Sequence, residues 1–339
     1  MHHAQYQELA EALSEGKVSV GDAEEALLAM KNPYDTIALQ AAGIGYRADY
    51  AYHNGKYYVY FGIVPVLLLY LPYYLLTGGA LQNYVAVFVF FAGFIIAAAG
   101  FVYELMKRYF KEQPFYLWAV GTGMLVGSYS MFYLLIRPDL YHVPIAASTM
   151  FATGGLWLYL AGLNRPKKAV GLYAFGSFCM ALTAGCRPQF ILFAALAVVL
   201  FWERVFVKRE LFSKKGWRQT AALVVPYVLI AAGLMAYNAL RFGSPFDFGA
   251  SYSMTSNDMT HRGTNLERIL YGIWYFLFEP MQLEGKFPYL QSASIATDYL
   301  GKLVNGSWFG GIFACSMLTW GIFFGSEDSK KTGVTFQRS

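Results

Sequence analysis

The sequence has little charge. Only 14% of its 339 residues are Asp, Glu, Lys or Arg, whereas 57% are hydrophobic. A soluble globular domain carries about 25% charged residues, so this shortage argues against a soluble enzyme and indicates a protein that crosses a membrane several times. The formal net charge is +5, but the basic residues lie between apolar runs rather than on one face. The sequence therefore does not indicate a nucleic-acid partner.

Cysteine is scarce as well, and the common motifs of soluble enzymes are missing. The three cysteines, Cys179, Cys186 and Cys315, fall in apolar segments without paired spacing, which disfavours a disulfide framework or a zinc site. The sequence contains no P-loop, no G-x-S-x-G, no H-E-x-x-H and no C-x-x-C. These absences exclude the nucleotide, hydrolase, metalloprotease and thiol-redox chemistry that such motifs support.

Long apolar runs take the place of such motifs. A helix needs about 20 apolar residues to cross the hydrocarbon of a bilayer. Seven runs approach or reach this length, at 81–103, 115–136, 143–163, 169–186, 188–207, 219–240 and 303–325. An eighth, at 62–77, is short and contains Pro65 and Pro72, each of which removes a helix hydrogen bond. The sequence thus predicts an all-α, polytopic transmembrane helical bundle of about seven or eight membrane helices within residues 58–325.

The basic loops predict the orientation of this bundle. Loops around 107–111, 165–168 and 204–218 are rich in Lys and Arg and alternate with loops that hold one arginine each. The positive-inside rule places the rich loops in the cytoplasm, together with the polar tail at 326–339, and it places the loop at 241–302 outside. A spanning helix at 62–77 would leave the N-terminal residues in the cytoplasm. We favour a re-entrant or interfacial helix pair there, which leaves them outside, and the other arrangement stays open.

Residues 1–57 are the polar part of the chain. Apolar side chains recur at helical spacing in 4–15, and Asp22 with Glu25 three residues later predicts a second, capped helix. This segment is too short to form a core of its own. We therefore expect it to be a small extracytoplasmic helical cap on the membrane face. Tyr57 and Tyr58 end it, and we expect them to lie in an aromatic belt at headgroup depth.

Two carboxylates in this cap are candidates for chemistry. Asp49 and Asp35 lie on the polar side of the change from soluble to apolar sequence. Either could act as a general base on an acceptor hydroxyl or could hold a divalent cation, Mg²⁺ or Mn²⁺. The alternative is that they cap turns and helices, and this alternative is strongest for Asp35.

Single arginines on the outward side are candidates for binding an anion. Arg137 and Arg187 are each followed by proline, and Arg241 lies at the end of a run. A planar guanidinium suits phosphate at a bilayer surface. The alternative for each is that the side chain extends along apolar surface to reach the lipid headgroups. His53 lies at the same predicted membrane edge and is a further candidate for binding the substrate.

Four stretches resemble bacterial membrane glycosyltransferases of the GT-C type, which are similar to dolichyl-phosphate-mannose protein mannosyltransferases. They are DYAYHNGKYYVYFGIVPVLLLYLP at 49–72, RPDLYHVPIA at 137–146, AGCRPQF at 184–190 and YNALRFGSPFDFGASY at 237–252. The resemblance covers most of 4–292. It implies a multi-pass protein of the bacterial inner membrane that moves a sugar from a polyprenyl-phosphate donor to an acceptor on the outer face.

The resemblance also implies roles for the candidate residues. Asp49 would be the base or the cation-holding acid, with Asp35 as second choice, and Arg187 and Arg137 would hold the donor phosphate. Tyr57, Tyr58 and Tyr60 would stack on sugar or line the lipid entrance, with His53 and Arg241 completing the substrate site. Membrane lipids are the other expected partners.

The sequence departs from the family pattern at its beginning and end. The usual catalytic acid of such proteins follows a first transmembrane helix, but no such helix precedes residue 57, and Ala4 stands where an acid is expected. The chain also stops soon after 303–325. We therefore expect a fragment that lacks the first transmembrane helix and that is inactive if the missing part carries the acid. The alternative function is a non-catalytic transporter, flippase or envelope-assembly protein, although charge-free span centres and the lack of a repeat disfavour a transporter.

Overall fold

A computed structural model describes residues 4–60, 62–128, 131–214, 216–255, 258–261, 266, 268–286, 289–291, 296–299, 302–305, 310–316 and 319–320. The chain divides into two compact units, at 1–262 and 263–339. Each is described by itself below.

The first unit consists mainly of helices. In chain order they are α1 (Gln5–Ser14), α2 (Glu25–Leu28), α3 (Thr36–Ala41), α4 (Leu71–Thr77), α5 (Asn83–Tyr109), α6 (Tyr116–Ser128), α7 (Met131–Ile136), α8 (His142–Asn164), α9 (Ala169–Cys186), α10 (Ala195–Trp202) and α11 (Trp217–Phe242). Three short strands join them, β1 (Gly21–Asp22), β2 (Ala51–His53) and β3 (Lys56–Tyr58). In the packed centre, α8 lies against α5 and α9, and α9 lies against α11.

Five helices among the described residues are long and apolar enough to cross a membrane. They are Asn83–Tyr109, His142–Asn164, Pro166–Cys186, Pro188–Val207 and Trp217–Phe242, the third and fourth of which include short 3₁₀ or π segments at their ends. The expectation of a mostly helical chain with several apolar spans is therefore confirmed at that level. These helices coincide with five of the predicted spans, and the largest difference in bounds is at the C-terminal end of Asn83–Tyr109, whose predicted position is residue 103.

Three other predicted spans differ. The run at 115–136 is divided between α6 and α7, with residues 129–130 outside the described part. The run at 62–77 is a π-helical turn at Val66–Tyr70 followed by α4, in total a short apolar helix of Val66–Thr77. Pro65 precedes it and Pro72 lies in the first turn of α4, where a missing N–H costs little. Of the run at 303–325, residues 306–309, 317–318 and 321–325 lie outside the described residues, as does the whole tail at 326–339.

The prediction of a purely helical cap needs correction. Helices α1 to α3 are present, but β2 and β3 form an antiparallel hairpin and β1 pairs with the other edge of β3. Asn54 and Gly55 form the two-residue turn, both with positive φ (49° and 79°), as a type I′ turn requires. Asp22 lies in β1, so it does not cap α2.

Polar contacts join the cap to one end of the bundle. The Gln7 amide donates to the Leu81 carbonyl at 2.7 Å, just before α5 begins. Within the cap, Glu8 of α1 accepts hydrogen bonds from Arg47 and from the Tyr50 hydroxyl. Helix α1 is therefore fixed both to the segment before β2 and to the start of α5.

The basic loops lie at the other end of α5. There Glu104, which is buried, pairs with Arg165 at 2.5 Å and accepts a hydrogen bond from Asn164. Arg204 similarly joins the end of the fourth span to Gln219 at the start of α11. The cap and the basic loops therefore occupy opposite ends of α5, as a non-spanning 62–77 segment requires.

The described parts of the second unit are short. They comprise α12 (Arg268–Ile273), a π-helical turn at Trp274–Phe278 and two hairpins, β4 (Gln282–Leu283) with β5 (Leu290–Gln291) and β6 (Ala296–Tyr299) with β7 (Lys302–Asn305). A one-turn helix, α13 (Ile312–Cys315), follows. The predicted span at 303–325 thus begins in a strand, and the apolar helix Ile269–Phe278 is as short as its sequence predicts.

Candidate functional site

Asp49 lies in a turn just before β2, in a conformation that few residues adopt. Its φ is 63°, in the left-handed region, and its backbone N–H donates to the Met254 carbonyl at 2.9 Å. Aspartate and asparagine tolerate this region better than most residues. The loop that follows α11 thus fixes the backbone of Asp49 through Met254, and Asp49 remains half-buried.

Tyr141 and Tyr60 connect this carboxylate to the bundle. Tyr141 lies immediately before α8, and its hydroxyl is hydrogen-bonded to Asp49. Burial, followed by that hydrogen bond, raises the pKa of Tyr141 well above its ordinary value. Burial also raises the pKa of Tyr60, whose hydroxyl lies in hydrogen-bonding contact with Tyr141. Both hydroxyls therefore remain protonated at neutral pH and can act as donors.

Arg187 brings a positive charge to the same place. It lies at the C-terminal end of α9, where its backbone N–H bonds the Thr183 carbonyl, and it is half-buried. Its guanidinium lowers the pKa of Tyr60, against the larger effect of burial, while the Asp49 carboxylate raises it. Tyr60 is thus near both charged groups. Among the described residues, no carboxylate lies within 4.0 Å of the Arg187 side chain, so its charge is available to an anion.

Gly62 makes this convergence possible. A Cβ at Gly62 would lie 2.1 Å from the Cys186 carbonyl oxygen and 2.2 Å from that of Gly185. The chain after Tyr60 therefore crosses directly over the last turn of α9, at a distance that only glycine permits. Tyr60 and Arg187 are held together by this crossing of two backbones.

Arg241 is a buried support beside the site. Its guanidinium donates to the Val59 carbonyl at 2.8 Å and to the Asn238 side chain at 2.7 Å, and it lies 3.9 Å from the centre of the Tyr237 ring. A small cleft lies between this group and Tyr60, lined by Tyr60, Gly62, Ile63, Ala184, Gly185, Pro188, Leu234, Tyr237, Asn238, Arg241 and Phe248. Arg241 therefore holds the segment that carries Tyr60 and also lines the space next to it.

The other predicted site residues have different surroundings. Asp35 caps α3, because its carboxylate accepts the Ala38 N–H at 3.0 Å, as the capping alternative predicts. His53 packs against the Tyr252 ring at 4.5 Å. Tyr57 and Tyr58 are 3% and 7% exposed, because they are successive residues of β3 whose rings are buried on opposite faces of the strand. Tyr57 packs against Tyr50 and Tyr52 within the cap, whereas Tyr58 packs against Phe242 of α11. Their rings do not form an exposed belt.

Arg137 is exposed and follows α7. Its guanidinium lies 5.9 Å from the centre of the Tyr133 ring, and its carbonyl bonds the His142 ring. The structure thus brings together Asp49, Arg187 and Tyr60 of the predicted residues, and it adds Tyr141. Tyr60 belongs to the predicted aromatic belt, whereas Tyr141 lies in the RPDLYHVPIA stretch and is not among the predicted site residues.

No cluster of three or more His, Cys, Asp or Glu side chains that could hold a metal ion occurs in the described part of the chain. No family model, curated protein or solved structure matches the sequence. The findings therefore define a class only: a mostly helical chain with five helices suited to cross a membrane, and a polar cluster at the end opposite its basic loops.

Proposed function

We propose that this chain is an integral-membrane glycosyltransferase of the inner membrane, which moves a sugar from a polyprenyl-phosphate donor to an acceptor on the outer face. One observation carries the proposal. A half-buried carboxylate, Asp49, and a half-buried guanidinium without a carboxylate partner, Arg187, are both close to the Tyr60 hydroxyl. The cluster lies under the cap, at the end of the spans where lipid headgroups and water meet.

The proposed reaction needs these two charges and little else. The acceptor oxygen attacks the anomeric carbon of the donor, and the bond from that carbon to the phosphate oxygen breaks. The acceptor proton passes to the Asp49 carboxylate, and the bonding electrons leave with the lipid phosphate. Arg187 stabilises the negative charge that develops on the departing phosphate.

Tyr141 and Tyr60 have supporting roles in this scheme. The hydrogen bond from Tyr141 orients the Asp49 carboxylate, and Tyr60 supplies a second protonated hydroxyl between the base and the cation. Asp49 could instead hold a divalent cation on the donor phosphate, and the same variants test that role because an amide coordinates Mg²⁺ or Mn²⁺ weakly.

The proposal is tested by the release of polyprenyl phosphate, a product common to every donor sugar. The purified chain in lipid nanodiscs is incubated with a panel of polyprenyl-phosphate hexoses and pentoses and with cell-envelope glycan as acceptor. Asp49→Asn should lower the rate by about 10²–10⁴, the usual contribution of a general base. Asparagine tolerates the left-handed backbone of this position, so the variant should fold normally.

Asp35→Asn is the matched control. Asparagine and aspartate are near equals as N-caps, so this variant should keep both the helix cap and the rate. Release of no product from any donor by the wild type would contradict the proposal. Equal rates for Asp49→Asn and the wild type would show that Asp49 is structural.

A further inference from the structure

Arg241 is a buried cation near the C-terminal end of α11, and no carboxylate of the described residues pairs with it. The residue is 5% exposed. The Asp247 carboxylate acts on it from beyond 4.0 Å and accepts the Gly249 N–H instead, at 2.8 Å. A buried charge is costly unless it is paired. An ionisable group on an apolar helix suited to cross a membrane therefore indicates a binding site.

The guanidinium also has one unused donor. Its Nη1 and Nη2 atoms donate to the Val59 carbonyl and to the Asn238 side chain, whereas Nε is buried and makes no hydrogen bond with the described residues. The hydroxyl of Tyr237, one turn earlier, is also buried without such a bond. The Tyr237 ring lies 3.9 Å from the guanidinium carbon. Two buried side chains in direct contact thus each retain an unused donor.

Both side chains line the small cleft beside Tyr60, which gives a ligand access to them. Two other lining residues, Pro188 and Phe248, are exposed, so the cleft opens to the outside of the protein. Ile63 and Leu234 contribute an apolar wall. The cleft therefore combines a cation, two free donors and apolar surface, which is the chemistry that binds the anionic end of an amphipathic molecule.

We propose that this cleft binds the phosphate group of a lipid. One phosphate oxygen enters the cleft and accepts hydrogen bonds from the Arg241 Nε–H and the Tyr237 hydroxyl, and the phosphate charge neutralises the guanidinium. The cleft is small, which suits an oxygen of an anion rather than a sugar ring. Leu240, the residue before Arg241, is 72% exposed. Such apolar surface beside the site favours a phosphate that carries a hydrocarbon chain.

Two kinds of lipid carry such a phosphate. A phospholipid of the bilayer offers it in any membrane. A polyprenyl-phosphate donor offers it if the chain is a glycosyltransferase, and for this source alone the inference rests on the proposed function. Tyr60 connects the two sites, because it lines the cleft and is also near Asp49 and Arg187. The existence of the site depends only on Arg241, Tyr237 and the cleft.

Tyr237→Phe gives a sharp test, because it removes one hydroxyl and keeps the ring beside the guanidinium. No native hydrogen bond to a described residue is lost, so the thermal midpoint of the delipidated protein in detergent should stay the same or rise. Farnesyl phosphate and phosphatidylglycerol are the two probes, and their binding is measured calorimetrically. The Kd of the lipid that the cleft takes should rise by about 10- to 100-fold, since a hydrogen bond to a charged group is lost.

Two further variants support the comparison. Ala184→Leu narrows the cleft without changing either donor, so it should also weaken binding. Tyr227→Phe is the matched control in the same helix. The Tyr227 hydroxyl is hydrogen-bonded to that of Tyr159 at 3.1 Å, so its loss should lower the thermal midpoint and leave both Kd values unchanged.

The two probes identify the source of the phosphate. A weaker Kd of Tyr237→Phe for farnesyl phosphate alone assigns the site to a prenyl phosphate, and one for phosphatidylglycerol alone assigns it to a bilayer phospholipid. An effect on both shows that the shared phosphate is recognised. Equal Kd values for the wild type and Tyr237→Phe with both probes, or no binding of either by the wild type, would overturn the site. Displacement of the bound lipid by an equal concentration of inorganic phosphate would overturn the lipid assignment.

The proposed function fails separately from this site. A chain that binds phosphatidylglycerol or farnesyl phosphate through Tyr237 but releases no polyprenyl phosphate keeps the site and loses the transferase assignment. A chain whose transfer is abolished by Asp49→Asn, but whose lipid binding is unchanged by Tyr237→Phe, keeps the transferase assignment and loses the site.

Discussion

Single residues with no chemistry of their own decide whether the candidate site forms. Gly62 permits the segment that carries Tyr60 to cross the last turn of α9. Arg187 is the residue that follows this helix. The two candidate carboxylates, Asp35 and Asp49, are distinguished by what each of them contacts. Asp35 accepts a backbone N–H and so has a structural use, whereas Asp49 faces a tyrosine hydroxyl. Residue type alone does not distinguish these roles.

Gly62→Ala should prevent the native crossing. Its Cβ would overlap two backbone carbonyls, which cannot move as a flexible side chain can. Overpacking usually costs about 1–3 kcal/mol, and we expect this variant to exceed that range because the contacts are with backbone atoms. Gly123→Ala is the control, since nothing lies within 4 Å of its Cβ position. Thermal melts and the folded yield after size-exclusion chromatography compare them. Equal stability would show that the two backbones do not approach this closely.

At the level of elements, the β2–β3 hairpin positions the turn that holds Asp49. Its two-residue turn brings β3 back along β2, and the chain leaves β3 directly into Val59 and Tyr60. Arg241 binds the Val59 carbonyl, so the end of the hairpin is also joined to α11. The hairpin therefore connects the turn that holds Asp49 to the segment that carries Tyr60 and, through Arg241, to α11.

Gly55→Ala should destabilise this hairpin. An L-residue in the left-handed region costs roughly 1–2 kcal/mol, and the new Cβ would lie 3.2 Å from the Leu28 side chain. Asn54→Gly is the control, because glycine adopts positive φ readily, and it should be close to neutral. Chemical denaturation in detergent gives the two free energies of unfolding. A Gly55→Ala value equal to that of the wild type would contradict the type I′ turn.

At the level of the whole molecule, polar contacts show which parts of the chain lie at each end of the long helices. The cap is fixed to the start of α5, and the Glu104–Arg165 pair lies near its end. If the basic loops are cytoplasmic, as the positive-inside rule predicts, the cap and the candidate site are outside. A lipid-linked sugar on the outer face would then be within reach of Asp49 and Arg187.

Cysteine labelling tests this orientation. We predict that the loops at 107–114, 164–168 and 208–218 are cytoplasmic and that the cap at 1–57 is outside. Glu15→Cys and Ser213→Cys are introduced separately into a Cys315→Ser background, because Cys315 is exposed. A membrane-impermeant maleimide applied to intact spheroplasts should label position 15 alone, and both positions should react after lysis. Labelling of position 213 but not of position 15 before lysis would reverse the arrangement.

The sequence alone predicted what depends on local pattern. Span lengths follow from apolar runs, so five of the predicted spans recur in the structure at nearly the predicted residues. Helix α1 follows from apolar spacing, and the capping alternative for Asp35 follows from its place in the turn Asn32-Pro33-Tyr34-Asp35. The Asn54-Gly55 pair is also a local signal for a hairpin. The helical prediction for the cap missed it because it depended on the apolar spacing in 4–15 and on the Asp22 capping pattern, and neither signal covers residues 51–58.

Only the tertiary structure decided which of these residues meet. Asp49, Tyr60, Tyr141 and Arg187 come from four segments, and no spacing in the sequence relates them. Tyr57 and Tyr58 have the composition of an interfacial belt, yet β3 buries both rings on its two faces, Tyr57 against the cap and Tyr58 against Phe242 of α11. Convergence of the four segments depends on a close backbone crossing at Gly62 and on backbone hydrogen bonds between Met254 and the segment of Asp49 and Tyr50. Contacts of that kind are made between surfaces that exist only after the helices have packed.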